Sequence, residues 1–388
     1  MFRCVTNIVI KQNGEGRDKI LSFNYVTEFS ATDTWVDLTN QATVKLPKKL
    51  YVRDENGKLY PLDGTNKNIG GFDNSKPLFL KGDAITIRFG YRYYRGGNEI
   101  LDMPTDAYQF QGYITEVISK KPIELKCEDN MWRLKQIPCT PRTWNGSVED
   151  LVADMIKGTP FTVNRLTSTN IGQIIVGNES VAQFLERMRK EAHLEAYFRG
   201  SELRVGSIIY IESEAKERTF VFQQNIISDE LAYKRKDDII LSAVCISRFE
   251  TFSGGTTKDG QQKTKNDRLE ILVYWDTKLQ DWRYAKKTKD KPLPANVEGE
   301  RRTLNYINIK SEKELFEKGV ENLKKYFYTG FKGKFTTFAI PYVKQGDNVI
   351  IKDPVLPERN GKYKVRGVEY TGGINGHRQT IMLDYKIA

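Results

Sequence analysis

Over the first third of this 388-residue chain, apolar and polar residues alternate with period two. The segments "FRCVTNIVI", "SFNYVTEFS" and "ATVKLP" show it, and each reads as a half-buried β-strand. Between them "RDENGK" and "LDGTNKNIGGFDNSKP" carry turn and loop chemistry. In "KGDAITIRFGYRYY" the alternation places Ala84, Thr86, Arg88 and Gly90 on one face and Ile85, Ile87, Phe89 and Tyr91 on the other. Gly82-Asp83 just before it predicts a tight turn, with Gly free to take positive φ and Asp able to bond the following amides. "AYQFQGYITEV" and "PIELKC" then complete an antiparallel series.

At "CEDNMWRLKQ" the period changes. Asp129 is placed to cap a short helix, with Trp132 and Leu134 plugging the end of the preceding sheet. Glu128 and Asp129 are adjacent on a strand end and project to opposite sides, a poor arrangement for a paired-carboxylate catalyst. Two amphipathic helices follow. "GSVEDLVADMIKG" has Ser147 as N-cap and stops at Gly158; "ESVAQFLERMRKEAHLEAYF" opens with a Ser180/Gln183 capping box. With Gly200 as a hairpin turn before "ELRVGSIIYIE", this predicts a small α/β module.

Strands resume at "RTFVFQQNIISDELAYKRKDDIILSAVCISRFE". The polar, Gly-rich "SGGTTKDGQQKTKND" is expected to be a mobile loop, "RLEILVYWD" and "DWRYAKK" a hairpin, and the basic "RYAKKTKDKPLPANVEGERR" largely a solvated loop. "SEKELFEKGVENLKKYFY" predicts a long helix capped by Ser311 and Glu314. The last block then repeats the first: "QGDNVIIKD" matches "KGDAITIRF", "KYKVRGVEYTG" matches "AYQFQGYITEV", and "RQTIMLDYKI" takes the place of "PIELKCED". By spacing, Tyr108, Phe110 and Gly112 match Tyr363, Val365 and Gly367. The signature positions are therefore Gly82, Asp83, Tyr108 and Gly112 in one copy and Gly346, Asp347, Tyr363 and Gly367 in the other; they mark a structural unit, not a reactive site.

The expected fold is mainly β with α+β insertions: two similar small β-barrel domains, a middle α/β module and a connecting helix. The expected boundaries are 1–138 for the first barrel-like domain and 139–215 for the α/β module. A β-rich connecting segment follows at 216–310, with an insertion at about 253–300, and 311–388 holds the helix and second barrel-like domain.

Charge and candidate chemistry change this picture little. The chain carries 61 Lys and Arg against 50 Asp and Glu, a formal net charge of +11, which leaves open a module that binds a polyanion such as nucleic acid or an acidic glycan. The acidic residues are interspersed and long single-sign runs are missing, so a solvated surface accounts for the charge better than a polyanion site does. Cys4, Cys127, Cys139 and Cys245 lack metal-ligand spacing and read as free thiols of a reducing cytoplasm. His193, at a helix end, and His377, in "GGINGHRQ", are too isolated for a metal site or a catalytic triad. "GFKGKFTT" lacks the spacing of a phosphate-binding loop. No cofactor, metal or catalytic residue is expected, and no apolar run approaches the ~20 residues of a membrane span. A cell-wall hydrolase would need a catalytic segment left over after these assignments, and none is.

Taken in order, several segments resemble one family, the tail or baseplate hub proteins of contractile-tailed bacteriophages, with relatives among late-control proteins and secretion-system spikes. The resemblance is carried by "TWVDLTNQATVKLPKKL", "KGDAITIRFGY" with "FQGYITEV", "PIELKCEDNMWRLKQ", and "NESVAQFLERMRKEAHLEAYFRGSELRVG". "DELAYKRKDDII" and "YTGFKGKFTTFAIPYVKQGDNVIIKDP" running to "GKYKVRGVEYTGGINGHRQTIMLDYKI" extend it over almost the whole chain. It implies a non-enzymatic homotrimer in which two similar barrels per subunit present a pseudo-sixfold face to a hexameric tail tube protein. The opposite face receives a trimeric spike protein, and DNA is only a transient passenger through the channel. It also implies a place in the virion tail baseplate after synthesis in the bacterial host cytoplasm, with no membrane anchor. The segment from about Ser253 to Glu300 departs from that pattern.

Overall fold

A computed structural model describes residues 3–14, 16–47, 50–53, 59–62, 77–104, 108–118, 122–164, 170–192, 194–206, 215–256, 262–288, 292–294, 300–307 and 309–387. His193, expected at a helix end, lies outside the described residues.

The period-two segments form strands. They are β1 (Arg3–Lys11), β2 (Ile20–Phe23), β3 (Glu28–Thr34), β4 (Gln41–Lys45), β5 (Leu50–Arg53), β6 (Leu59–Leu62), β7 (Ala84–Arg95), β8 (Asn98–Asp102), β9 (Phe110–Ile118) and β10 (Glu124–Asp129). On β7, Ile85, Ile87, Phe89 and Tyr91 are buried while Thr86 and Arg88 reach the half-exposed face, as the alternation requires.

The middle module contains α1 (Met131–Leu134), β11 (Arg142–Ser147), α2 (Val148–Met155), β12 (Thr162–Asn164), β13 (Asn170–Val176), α3 (Val181–Ala192), β14 (Glu195–Arg199) and β15 (Glu202–Gly206). The caps hold these helices as predicted: Ser147 Oγ accepts the Asp150 amide at 3.1 Å, and Ser180 and Gln183 exchange two bonds at 2.8 and 3.3 Å. Gly200 turns the β14–β15 hairpin with φ of 58°. Met131 and Leu134 pack into this module's core, beside Leu151, Phe184 and Leu203. Leu134 thus does not plug the preceding sheet. Trp132 does cover its end, tilted against Tyr113 at 5.2 Å and lying under Gly82.

Then come β16 (Glu217–Val221), β17 (Ile226–Lys234), β18 (Leu241–Thr256), β19 (Gln262–Asp276), β20 (Asp281–Lys286), β21 (Glu300–Ile307) and α4 (Glu312–Lys324). Strands β20, β19, β18 and β21 form one sheet in that order. Two expectations change here. The polar run expected as a loop is largely strand, since β18 reaches Thr256 and β19 begins at Gln262, with Phe252 opposite Thr264; 257–261 lie outside the described residues. Main-chain ladders form there whatever the side-chain polarity, so composition alone misleads. Helix α4, expected with the last domain, packs instead on this inserted sheet: Leu315 and Leu323 are buried with Ala243, Cys245, Ile271 and Val273. Gly319 allows the close approach, because a Cβ there would sit 2.7 Å from Cys245 Sγ.

The chain ends in β22 (Gly330–Phe338), β23 (Asn348–Lys352), β24 (Gly361–Gly373) and β25 (Arg378–Lys386). Most strands outside the module and the inserted sheet join one 14-stranded sheet, with the path β17-β22-β25-β24-β3-β4-β10-β9-β7-β1-β2. β23 joins β24 and β16 off that path. Among the described residues no ladder closes a sheet on itself, so by hydrogen bonding the two units are open sheets and not closed barrels.

The repeat is visible in strand order and register. The first unit runs β3-β4-β10-β9-β7-β1, and the last runs β17-β22-β25-β24-β23-β16. Ile85 faces Gly112 and Ile87 faces Phe110, as Val349 faces Tyr363 and Ile351 faces Gly361. The bulge on β9 skips Thr115 between Ile114 and Glu116; the matching bulge on β24 skips Arg366 between Val365 and Gly367. Leu125 pairs with Val44, which pairs with Phe29, and in the last unit Ile381 pairs with Phe335, which pairs with Asp229. The outermost strands differ in direction: β1 is antiparallel to β7, β16 parallel to β23.

This register corrects the match read from spacing. Gly112 stands where Tyr363 stands, four residues before Gly367. A period-two pattern can slide by any even number of residues without moving a side chain to the other face, so spacing alone does not fix it.

Candidate functional site

Each unit turns on a buried aspartate. Gly82 takes φ of 95° and donates to the Ile114 carbonyl at 2.8 Å; Gly346 takes φ of 79° and donates to the Val365 carbonyl at 2.9 Å. Asp83 Oδ2 accepts the Leu80 amide at 2.9 Å and Oδ1 the Asn13 amide at 2.9 Å. Asp347 repeats both bonds, accepting Lys344 N–H at 3.1 Å on Oδ2 and Lys216 N–H at 3.2 Å on Oδ1. One carboxylate thus ties the turn to the start or end of a neighbouring strand in both copies.

The copies differ in how the charge is met. Arg17 reaches Asp83 through two nitrogens, at 2.9 and 2.6 Å, and spends its other donors on the carbonyls of Asn13, Pro77 and Leu78. Asp347 is held above the usual carboxylate range by burial, against the amides of Lys344 and Lys216. Arg17 gave no sequence signal, being one basic residue in a polar turn.

The other signature residues have separate tasks. Tyr108 is partly exposed with the Arg88 guanidinium 4.2 Å from its ring centre. Tyr363 is fully buried and its hydroxyl accepts the Phe331 amide at 2.9 Å. A Cβ on Gly367 would lie 2.8 Å from Thr34, at the seam between the units, and one on Gly112 would lie 2.0 Å from the Glu128 carbonyl oxygen. Gly112→Ala is therefore expected to cost about 1–3 kcal/mol through a displaced β10 backbone, measurable as a lowered thermal midpoint.

The units and the middle module meet at one junction. Gln345 N–H donates to Asp33 Oδ2 at 3.0 Å, Arg199 approaches the same oxygen at 3.6 Å, and Arg199 also donates to the Gln345 carbonyl. Asn130 donates to the Gly200 carbonyl at 2.6 Å, fastening the β14–β15 hairpin to the first unit. A cleft of about 400 Å³ opens beside this clamp, lined in part by Asp33, Gln109, Asp129, Arg199, Ser201 and Lys344. Asp129 is raised to about 7 by burial, yet its oxygens accept the Asn40 and Met131 amides, both at 3.0 Å. That geometry suits a structural acceptor. Glu128, its sequence neighbour, pairs with Lys135 at 2.7 Å.

His377 closes a second tie. Although it lies in the β24–β25 turn, it is buried among Phe29, Phe89 and Tyr91 of the first unit, with Nε2 3.2 Å from the Val5 carbonyl. Tyr91 donates to its carbonyl at 2.6 Å. Among the described residues no group of three or more His, Cys, Asp or Glu side chains is arranged to hold a metal ion, and no helix is long and apolar enough to cross a membrane. Cys4 is exposed and the other three cysteines are buried, all as free thiols.

No protein-family model matches the sequence and no curated protein matches it. Solved structures do match the fold. The chain is similar to the tail protein from Neisseria meningitidis MC58, with 10% identity and a TM-score of 0.53, over 98% of this chain and 96% of that one. It is also similar to the 43 kDa tail protein of prophage MuSo2 from Shewanella oneidensis, with 11% identity and a TM-score of 0.52, over 98% of each chain. The fold is that of phage and prophage tail proteins, the class its residues resemble.

Proposed function

We propose that this chain is the structural hub of a phage or prophage-derived tail baseplate. Three copies close a ring in which the two repeated units of each chain, rolled as barrel-like sheets, present six similar faces to a hexameric tail tube. A trimeric spike occupies the opposite face, and DNA passes the channel only in transit. The observation that carries this reading is the matched order and register of the two units, bulge included. A heterologous contact repeated by threefold rotation closes, and a duplicated unit turns that threefold ring into an approximate sixfold one. Such a role rests on many modest contacts around an axis and asks for no catalytic group or cofactor. The net charge of +11 suits a channel that tolerates a polyanion. Native mass spectrometry at rising concentration tests it: the expected species has three times the chain mass, and a monomer persisting at tens of micromolar would overturn the hub.

A further inference from the structure

The equivalence of the units exposes two half-finished ladders. β3 has β4 on one side and β24 on the other, with Gly367 opposite Thr34, Val368 opposite Asp33 and onward to Gly373 opposite Glu28. β17 stands where β3 stands, but among the described residues it is bonded only to β22. Its Ser228, Asp229 and Glu230 side chains are exposed. β9 stands where β24 stands. Its first residues pair with β7, while Glu116, Val117 and Ile118 pair only with β10 among the described residues. β17 ends the path that links the units, and β9 lies in the other unit, followed on the path by β7, β1 and β2.

We propose that β17 of one copy of this chain adds to the Glu116–Ile118 edge of a second copy, in the register that β3 and β24 use within the chain. That register sets Lys234 opposite Glu116, Tyr233 opposite Val117 and Ala232 opposite Ile118 of the neighbouring copy. The pairs are chemically compatible: opposite charges face each other, and an aromatic ring faces a β-branched side chain. The main chain supplies the ladder, as in other cases where a strand is added to an exposed sheet edge. An open edge is otherwise a liability that a folded protein must cover or guard. The occupant is a second copy because the chain already contains the complementary edge and already uses the same ladder once internally. This inference rests on the ring proposed above and specifies its contact.

Cross-linking tests it. In a Cys4→Ser background, which removes the exposed thiol, Glu116→Cys and Lys234→Cys are combined and treated with a short bis-maleimide. Both positions are exposed, and Glu116 gives up only its surface ion pair with Lys126 at 2.9 Å, so the fold is expected to be kept. The double variant is expected to give covalent dimer and trimer bands, while each single variant gives none. In parallel, Lys234→Glu raises the concentration for half-assembly several-fold and Glu116→Lys in the same chain restores it, as expected for charges that face each other across a ladder. A trimer by native mass spectrometry that fails to cross-link at these positions overturns the strand pairing and leaves the ring standing. A persistent monomer overturns both.

Discussion

Arg17→Ala lowers the stability of the first unit by about 3–5 kcal/mol, the cost of leaving a buried carboxylate without its cation. The pair is almost wholly buried, with side-chain exposures of 5% for Arg17 and 0% for Asp83. Removing the guanidinium also strands the carbonyls of Asn13, Pro77 and Leu78, each of which it now serves. The quasi-equivalent Asp347→Ala has a smaller expected effect, about 1–3 kcal/mol, since it releases two main-chain amides and strands no charge. Urea titration followed by tryptophan fluorescence measures both, through Trp132 at the first turn and Trp275 with Trp282 on the inserted sheet. An Arg17→Ala midpoint no lower than that of Asp347→Ala would show that the ion pair is not what holds the turn.

Much of this was legible in the sequence, and the parts that were not have physical reasons. Helix caps are local chemistry, so Ser147, Ser180 and Ser311 are read directly, and each accepts or exchanges the bond its spacing predicts. The duplicated Gly-Asp turn was visible for the same reason. The register across it was not, because period-two alternation is unchanged by a slip of any even number of residues, and only the ladder of Val349 with Tyr363 fixes it. The assignment of α4 failed on a different ground. Its apolar stripe says that a face is buried but not against what, and Leu315 and Leu323 find the inserted sheet before the chain returns to β22. The ties between units were the least legible. Arg199 with Asp33, and His377 among Phe29 and Phe89, join residues far apart in sequence through contacts that no local pattern encodes.

His377 gives the second large effect, read through pH. Its Nε2 faces the Val5 carbonyl, an acceptor only, so that nitrogen carries the proton; the buried Nδ1 has no hydrogen-bond partner among the described residues. Protonation would place a second N–H, and a charge, in a site that serves neither. Burial, then the nearby Arg378 charge, outweigh the Val5 bond and lower its pKa to about 4 from an ordinary 6.5. Because the folded pKa lies below the unfolded one, the contribution of this group is complete above pH 6.5. It is lost as pH falls toward 4, where only the unfolded chain takes up the proton. The loss totals about 3 kcal/mol. Asp129 and Glu195, both raised to about 7 by burial, act with the opposite sign: their folded forms hold protons the unfolded chain releases, so they regain stability as pH falls. The two trends overlap in the whole protein, and the contribution of His377 is isolated by difference. His377→Gln keeps an amide donor for Val5 and cannot titrate, so its stability relative to the parent chain should rise by about 3 kcal/mol between pH 7 and pH 4. A difference that stays constant across that range would mean that the imidazole is already solvated in the folded state, and that the turn it carries does not seal the first unit.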